Sequence, residues 1–219
     1  MIIINFKLYK NTFGNGAVEL AKMCRKVKEE TGVEIAVAVS AIDVYRIKKE
    51  TNLMVFCQNI DLYQQGAKTG WISAKQLKEI GIEGALVNHS EHKISSGKIK
   101  QIIKNKPKNF EVVLCVRSVG QVEKWASKLT VDCIAYEPSY LIGSKDKSIA
   151  SEKADSIEKI VKLCPDKKIL VGAGIKSSED IIISVEKGAK GVLIASSIVK
   201  AKNLDCAYKN LTKIAKAFK

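Results

Sequence analysis

The stretch DCIAYE (132–137) is apolar until its last residue, Glu137, and Pro138 follows at once. Burial would set this carboxylate against low-dielectric walls, which disfavour the charged form and make it a better base near neutral pH. The alternative is a carboxylate paired with a lysine at a rim. The only two histidines, His89 and His92, stand together in VNHSEHK. His89 closes the apolar run GALVNH, and that position reads as catalytic rather than structural, whereas His92 is expected to face solvent. No third residue completes a metal-ligand spacing with them. The first apolar run, IIINFK, ends on Asn5 and Lys7, which strand alternation points to one side with Phe6 opposite. A lysine there can neutralise a phosphate or a developing oxyanion, although in so lysine-rich a chain it could also be an ordinary surface charge. Glu91 is acidic at the start of a loop or helix, where a helix N-terminal role is the ordinary alternative.

Two later stretches, VGAGIKSSED and VLIASSIVK, place Gly172, Ala173, Gly174 and then Ala195, Ser196, Ser197 just after apolar runs. Such small residues let backbone N–H groups approach phosphate oxygens, and a following helix N-terminus adds a positive dipole. Glycines there could equally serve turn geometry alone. The segment SYLIGSKDKS after Pro138 is too long and mixed for a tight turn and is expected to act as a lid.

These residues need a frame to bring them together, and the pattern of the chain supplies one. Short apolar runs occur at 2–7, 34–40, 53–58, 84–89, 111–117, 132–137, 168–174 and 191–196. Between them lie amphipathic helical stretches such as AVELAKMCRKVKEE, SAKQLKEIG, KIKQIIKNK, SVGQVEKWASKL, ADSIEKIVKLC, SSEDIIISVEKG and CAYKNLTKIAKAFK. The runs are nearly continuous in apolar residues, as parallel strands covered on both faces are. Eight strands alternating with helices, without a linker or composition break, predict one α/β domain over residues 1–219, a closed (β/α)8 barrel. Its active site would lie on the loops after the strands. A doubly wound open sheet is the alternative, and no GxGxxG follows the first strand.

The bulk composition narrows the function classes. With 46% hydrophobic and 27% charged residues the chain reads as globular, and no stretch reaches the ~18–20 apolar residues of a membrane helix. MIIINFK has no secretory-signal character, so a cytoplasmic location is expected. The six cysteines form no CxxC pair and are expected to be buried and reduced, with neither disulfide framework nor zinc site. The formal charge of +14 is almost all lysine. Its densest cluster, KIKQIIKNKPK (98–108), reads as a solvated helix face rather than a nucleic-acid surface, which would favour arginine. A diffuse positive field would also draw in a small anionic substrate.

In this order, NFK, NHSEH, AYEPSYLIGS, GAG and LIAS resemble the triosephosphate isomerase family, and the resemblance spans the whole chain. The short helices, GAG and LIAS are similar to the archaeal form, which is commonly tetrameric. The resemblance implies interconversion of dihydroxyacetone phosphate and D-glyceraldehyde 3-phosphate, in glycolysis and gluconeogenesis, with no cofactor or metal. It implies Glu137 as base, His89 as neutral electrophile and proton shuttle, and Lys7 as stabiliser of the anionic intermediate. Asn5 would hold substrate, Glu91 would support Lys7, and amides near Ile142, Gly143, Gly174, Ala195 and Ser196 would grip the phosphate. Thr69, in GAKTGW, matches a loop that reaches a neighbouring subunit; a homo-oligomer is implied, a tetramer before a dimer. Two other readings remain: a different phosphate-binding barrel, and a basic RNA-binding or scaffolding protein on an inactive barrel. The second would tend to lose the base or the histidine, and both are present.

Overall fold

The computed structural model describes residues 1–141, 148–175 and 177–218. Eight strands, β1 (Ile2–Asn5), β2 (Ile35–Val39), β3 (Met54–Cys57), β4 (Gly84–Val87), β5 (Glu111–Val116), β6 (Cys133–Tyr136), β7 (Lys168–Val171) and β8 (Gly191–Ile194), pair in parallel and in sequence order. The ladder closes between β8 and β1, with Ile2 opposite Val192. Helices α1 (Gly14–Thr31), α2 (Val44–Thr51), α3 (Ala74–Glu79), α4 (Ser96–Asn105), α5 (Val119–Lys124), α6 (Ile149–Leu163) and α7 (Ser178–Glu186) connect successive strands. After β8 come a short α8 (Ser196–Val199) and α9 (Leu204–Lys216). This is the (β/α)8 barrel that the sequence predicts.

The continuous apolar character of the strands has two separate destinations. Alternate residues point inward, where Ile3, Ala36, Phe56, Leu86, Val113 and Leu170 are among those that fill the barrel. Their neighbours point outward against the apolar stripes of the helices, as Ile4, Val37, Val55 and Val112 do. The interior is therefore a packed core, not a pore. Phe56 is the bulkiest inward side chain, and Gly84 makes room for it: a Cβ at Gly84 would lie 2.6 Å from the Phe56 ring. Truncating Phe56 to alanine would cost about 3–5 kcal/mol through the cavity left behind.

The helices start where serine or asparagine can accept from the first turn. Ser73, Ser95, Ser118 and Asn203 each accept a backbone N–H at the start of α3, α4, α5 and α9. Ser177 and Asp180 form a reciprocal capping box on α7. Two helices differ from expectation. SVGQVEKWASKL does not form one helix, because Trp125 leaves helical geometry (φ −150°) and a 3-10 turn, Ala126–Lys128, follows. Helix α6 begins at Ile149, ahead of the ADSIEKIVKLC segment.

Every strand also stops short of its apolar run at the mouth of the barrel. Lys7 and Asn88 adopt left-handed backbone angles (φ 53° and 64°) that end the ladder after β1 and β4. Beyond β6, Glu137 still donates its N–H to the Val116 carbonyl, and Pro138 has no N–H to continue the ladder. The chain thus turns away just where the polar side chains begin.

Candidate active site

Asn5, Lys7, His89, Glu91, Glu137, Gly174, Ala195 and Ser196 line one cleft of about 540 Å3 at the C-terminal mouth of the barrel. Five strands and the loops beyond them deliver these residues, so the fold has assembled side chains that are up to 191 positions apart. Ile142 and Gly143 lie outside the described residues. Thr69 is exposed in the loop between β3 and α3 and does not line this cleft. His92 is exposed, as expected.

Glu137 continues the inward parity of Cys133 and Ala135 and is only 4% exposed. Its Oε1 lies 3.4 Å from Nε2 of His89. Its Oε2 is buried with no hydrogen-bond partner among the described residues. Behind it, burial and the adjacent Glu137 carboxylate push the Cys115 thiol well above its ordinary range. A smaller cavity of about 310 Å3, with Ser90, Cys115 and Gln121 in its walls, opens on the other side of Glu137.

His89 is buried, and its Nδ1 accepts the backbone N–H of Glu91 at 3.1 Å. A nitrogen that accepts carries no proton, so this bond assigns the imidazole as the neutral tautomer with its N–H on Nε2, facing Glu137. The backbone of Glu91 therefore orients His89, while its side chain serves Lys7: Lys7 Nζ lies 2.6 Å from Glu91 Oε1. This ion pair places Glu91 beside Lys7, and the alternative of a helix N-terminal charge fails because the chain does not enter α4 until Ser96.

Lys7 is held in its left-handed conformation, which costs roughly 1–2 kcal/mol. Its N–H donates to Asn5 Oδ1 at 3.0 Å, and Gln58 Nε2 lies 3.2 Å from Asn5 Oδ1 and 3.1 Å from the Lys7 carbonyl. Because Oδ1 is committed to these donors, the Nδ2 face of Asn5 is left for the cleft. On the opposite wall Gly174 takes φ 67°, and α8 begins at Ser196; Ile198 and Val199 donate to the Ala195 carbonyl, which leaves the N–H groups of Ser196 and Ser197 without a partner in the helix. One wall of the cleft thus offers an acid–imidazole pair and an ammonium, and the other offers backbone donors. Such a site can bind a small phosphate ester and move a proton beside it.

A model of the triosephosphate isomerase family matches residues 1–217 of this chain. The chain belongs to the triosephosphate isomerase family. It is 39% identical to the triosephosphate isomerase of Methanosarcina mazei over 97% of each chain. It is 38% identical to that of Methanocaldococcus jannaschii over 97% of this chain and 99% of the other. With the Sulfolobus acidocaldarius enzyme it shares 36% identity over 98% of this chain and 94% of the other. As a triosephosphate isomerase family member the protein is a cofactor-independent isomerase. Among the described residues no group of three or more His, Cys, Asp or Glu could hold a metal ion, and no helix is long and apolar enough to cross a membrane.

For this triosephosphate isomerase site, sequence reading missed Gln58 and Lys200, and took Gly172 only as one of the small residues near phosphate. Gln58 ends the run LMVFCQ, so the rule that chose Glu137 and His89 also pointed to it. Gly172 lies against Glu137, where a Cβ would come 2.4 Å from Glu137 Cγ. Lys200 lines the cleft with its Nζ 4.8 Å from the ring centre of Tyr9, and nothing local distinguishes it from the other lysines.

Proposed function

We propose that Glu137, His89 and Lys7 carry out the interconversion of dihydroxyacetone phosphate and D-glyceraldehyde 3-phosphate through an enediolate. The observation that carries this reading is the 3.4 Å approach of His89 Nε2 to Glu137 Oε1 inside a cleft that also holds Lys7 Nζ. In this scheme Glu137 takes the proton from the carbon next to the carbonyl. The C–H electron pair becomes a C=C bond, and the carbonyl oxygen gains negative charge. His89 Nε2–H donates to that oxygen, and the Lys7 ammonium lowers the cost of the developing charge. His89 then passes a proton between the two enediolate oxygens, and Glu137 returns its proton to the neighbouring carbon. Asn5 Nδ2 faces the substrate, and the backbone amides at Gly174, Ala195 and Ser196 hold its phosphate.

The test is isomerase activity of the purified protein beside Glu137→Gln, which keeps shape and removes the base. Loss of a general base is expected to lower turnover by roughly 10²–10⁴-fold or more. Equal activity in both would remove Glu137 from the role of base.

We further take residues 1–219 as one catalytic domain of the archaeal type, serving glycolysis and gluconeogenesis in the cytoplasm. A homo-oligomer, a tetramer before a dimer, is favoured by exposed apolar side chains on two neighbouring loops. Leu8 and Phe13 precede α1, Ile42 and Tyr45 flank the start of α2, and Asp43 ties the loops by accepting from Gly14 N–H. Sedimentation at micromolar concentration tests this, and a monomer would overturn it.

A further inference from the structure

The densest lysine cluster is not accounted for by the active site. Residues 92–110 contain six lysines and no aspartate or glutamate. On α1, α6 and α9 some lysines have a carboxylate within one turn, as in Lys22 with Glu19, Lys162 with Glu158 and Lys209 with Asp205. Around the C-terminal end of α4 they do not. Lys100, Lys104, Lys106 and Lys108 converge there with Lys128, from the turn after α5, on a hollow of about 450 Å3. Lys106 is anchored, donating to the Phe110 carbonyl at 2.9 Å and lying 3.5 Å from Asp132. Among the described residues, no carboxylate comes within 4.0 Å of Lys100, Lys104, Lys108 or Lys128. Lys100 and Lys104 are also a like-charge pair one turn apart, which weakens a helix.

This concentration of charge cannot serve the mouth of the barrel directly. Helix α4 starts beside the mouth and ends at the opposite rim, where residues 106–110 lead into the first residue of β5. The hollow therefore lies at the end of the barrel that the substrate does not enter. Uncompensated ammonium groups around a concave surface are stabilised most by an anion that meets several at once.

We propose that this hollow binds a compact polyanion of three or more linked phosphates. The lining selects for charge and against bases. Lysine grips phosphate as a point charge, and the hollow contains no arginine fork to read a base edge. Its apolar lining is Ile103, Pro107 and Leu129, with no aromatic ring on which a base could stack. Its volume suits a triphosphate-sized group rather than a duplex.

Tripolyphosphate is the probe, titrated calorimetrically into the folded protein and into a variant carrying Lys100→Gln, Lys104→Gln, Lys108→Gln and Lys128→Gln. Isomerase kinetics, with and without the probe, report separately on the substrate cleft, which can also take phosphate. The parent is expected to bind tripolyphosphate with an affinity that falls as salt is raised above about 50 mM. The variant should lose at least about tenfold of that affinity with kcat/KM unchanged. ATP should bind no more tightly than tripolyphosphate. Should the fourfold variant fold poorly, Lys104→Glu with Lys108→Glu makes the same comparison. Equal affinity in parent and variant would overturn the proposal, placing the anion in the cleft alone. Lysine-dependent binding of single-stranded RNA without binding of tripolyphosphate would also overturn it, in favour of a nucleic-acid surface.

Discussion

Gly172 stands where any Cβ would lie 2.4 Å from Cγ and 3.1 Å from Oε1 of Glu137. The glycine at the end of β7 is therefore the floor on which the carboxylate rests, and its missing side chain is a matter of space. Gly172→Ala is expected to displace Glu137 and lower kcat by roughly 10²-fold, the scale of a misplacement near 1 Å. The KM should move less. Steady-state kinetics beside a thermal melt checks this; an alanine variant with parental kcat would mean that Glu137 has room to shift without consequence.

Gln58 Nε2 has two hydrogens and three acceptors within reach: Asn5 Oδ1, the Lys7 carbonyl and the Ala38 carbonyl at 3.3 Å. It ties the end of β1 to β2 and holds Lys7 in its unfavourable backbone angle. Gln58→Met keeps the volume and removes the donor. Its kcat/KM is expected to fall roughly tenfold or more, and the effect should shrink in a Lys7→Ala background, since coupled residues are not additive. The same fold-loss in both backgrounds would assign Gln58 to general packing.

Lys200 adds a cation to the cleft, over the ring of Tyr9, and among the described residues it forms no ion pair with Glu137. Its expected contribution is to draw in the anionic substrate. Lys200→Met should reduce kcat/KM by a few-fold at low ionic strength and by less at high salt, with kcat preserved. A loss that ignores salt would point to direct contact with the substrate instead.

Five of the six cysteines are buried, Cys206 being the partly exposed one. Burial pushes the thiols of Cys24, Cys115 and Cys133 well up, and moves Cys57 from 9.0 to about 11. The folded state thus keeps protons that the unfolded chain releases, so this contribution is full below about pH 9 and is lost as pH rises through the folded values. Cys57 alone should cost about 2 kcal/mol of stability by about pH 10.5. Denaturant midpoints from neutral to alkaline pH should fall accordingly. Alkylation of the native protein at mild pH should label Cys206 alone; rapid labelling of Cys115 would contradict this packing.

The barrel was legible because burial on both faces demands apolar residues at every strand position, a pattern that parallel strands between helices impose. Asn5, Lys7, His89 and Glu137 were legible because each is a polar residue ending such a run, where the fold places its mouth. The exact strand ends were not. They depend on the left-handed turns at Lys7 and Asn88, and nothing in either residue type demands φ above zero. The helix break at Trp125 was hidden for a similar reason, since SVGQVEKWASKL keeps helical periodicity through the break.

Residue type, order and apolar rhythm thus determine by themselves the (β/α)8 barrel, the family and the residues at the strand ends. Only the closed barrel decides which of them touch. The tautomer of His89 depends on the N–H of Glu91 in the following turn, and the seat of Glu137 depends on Gly172 from the neighbouring strand. The function of Gln58 depends on the register of β3 beside β2 and β1. The common physical reason is that hydrogen bonds and excluded volume act over a few ångströms of space, across residues the chain separates by tens of positions.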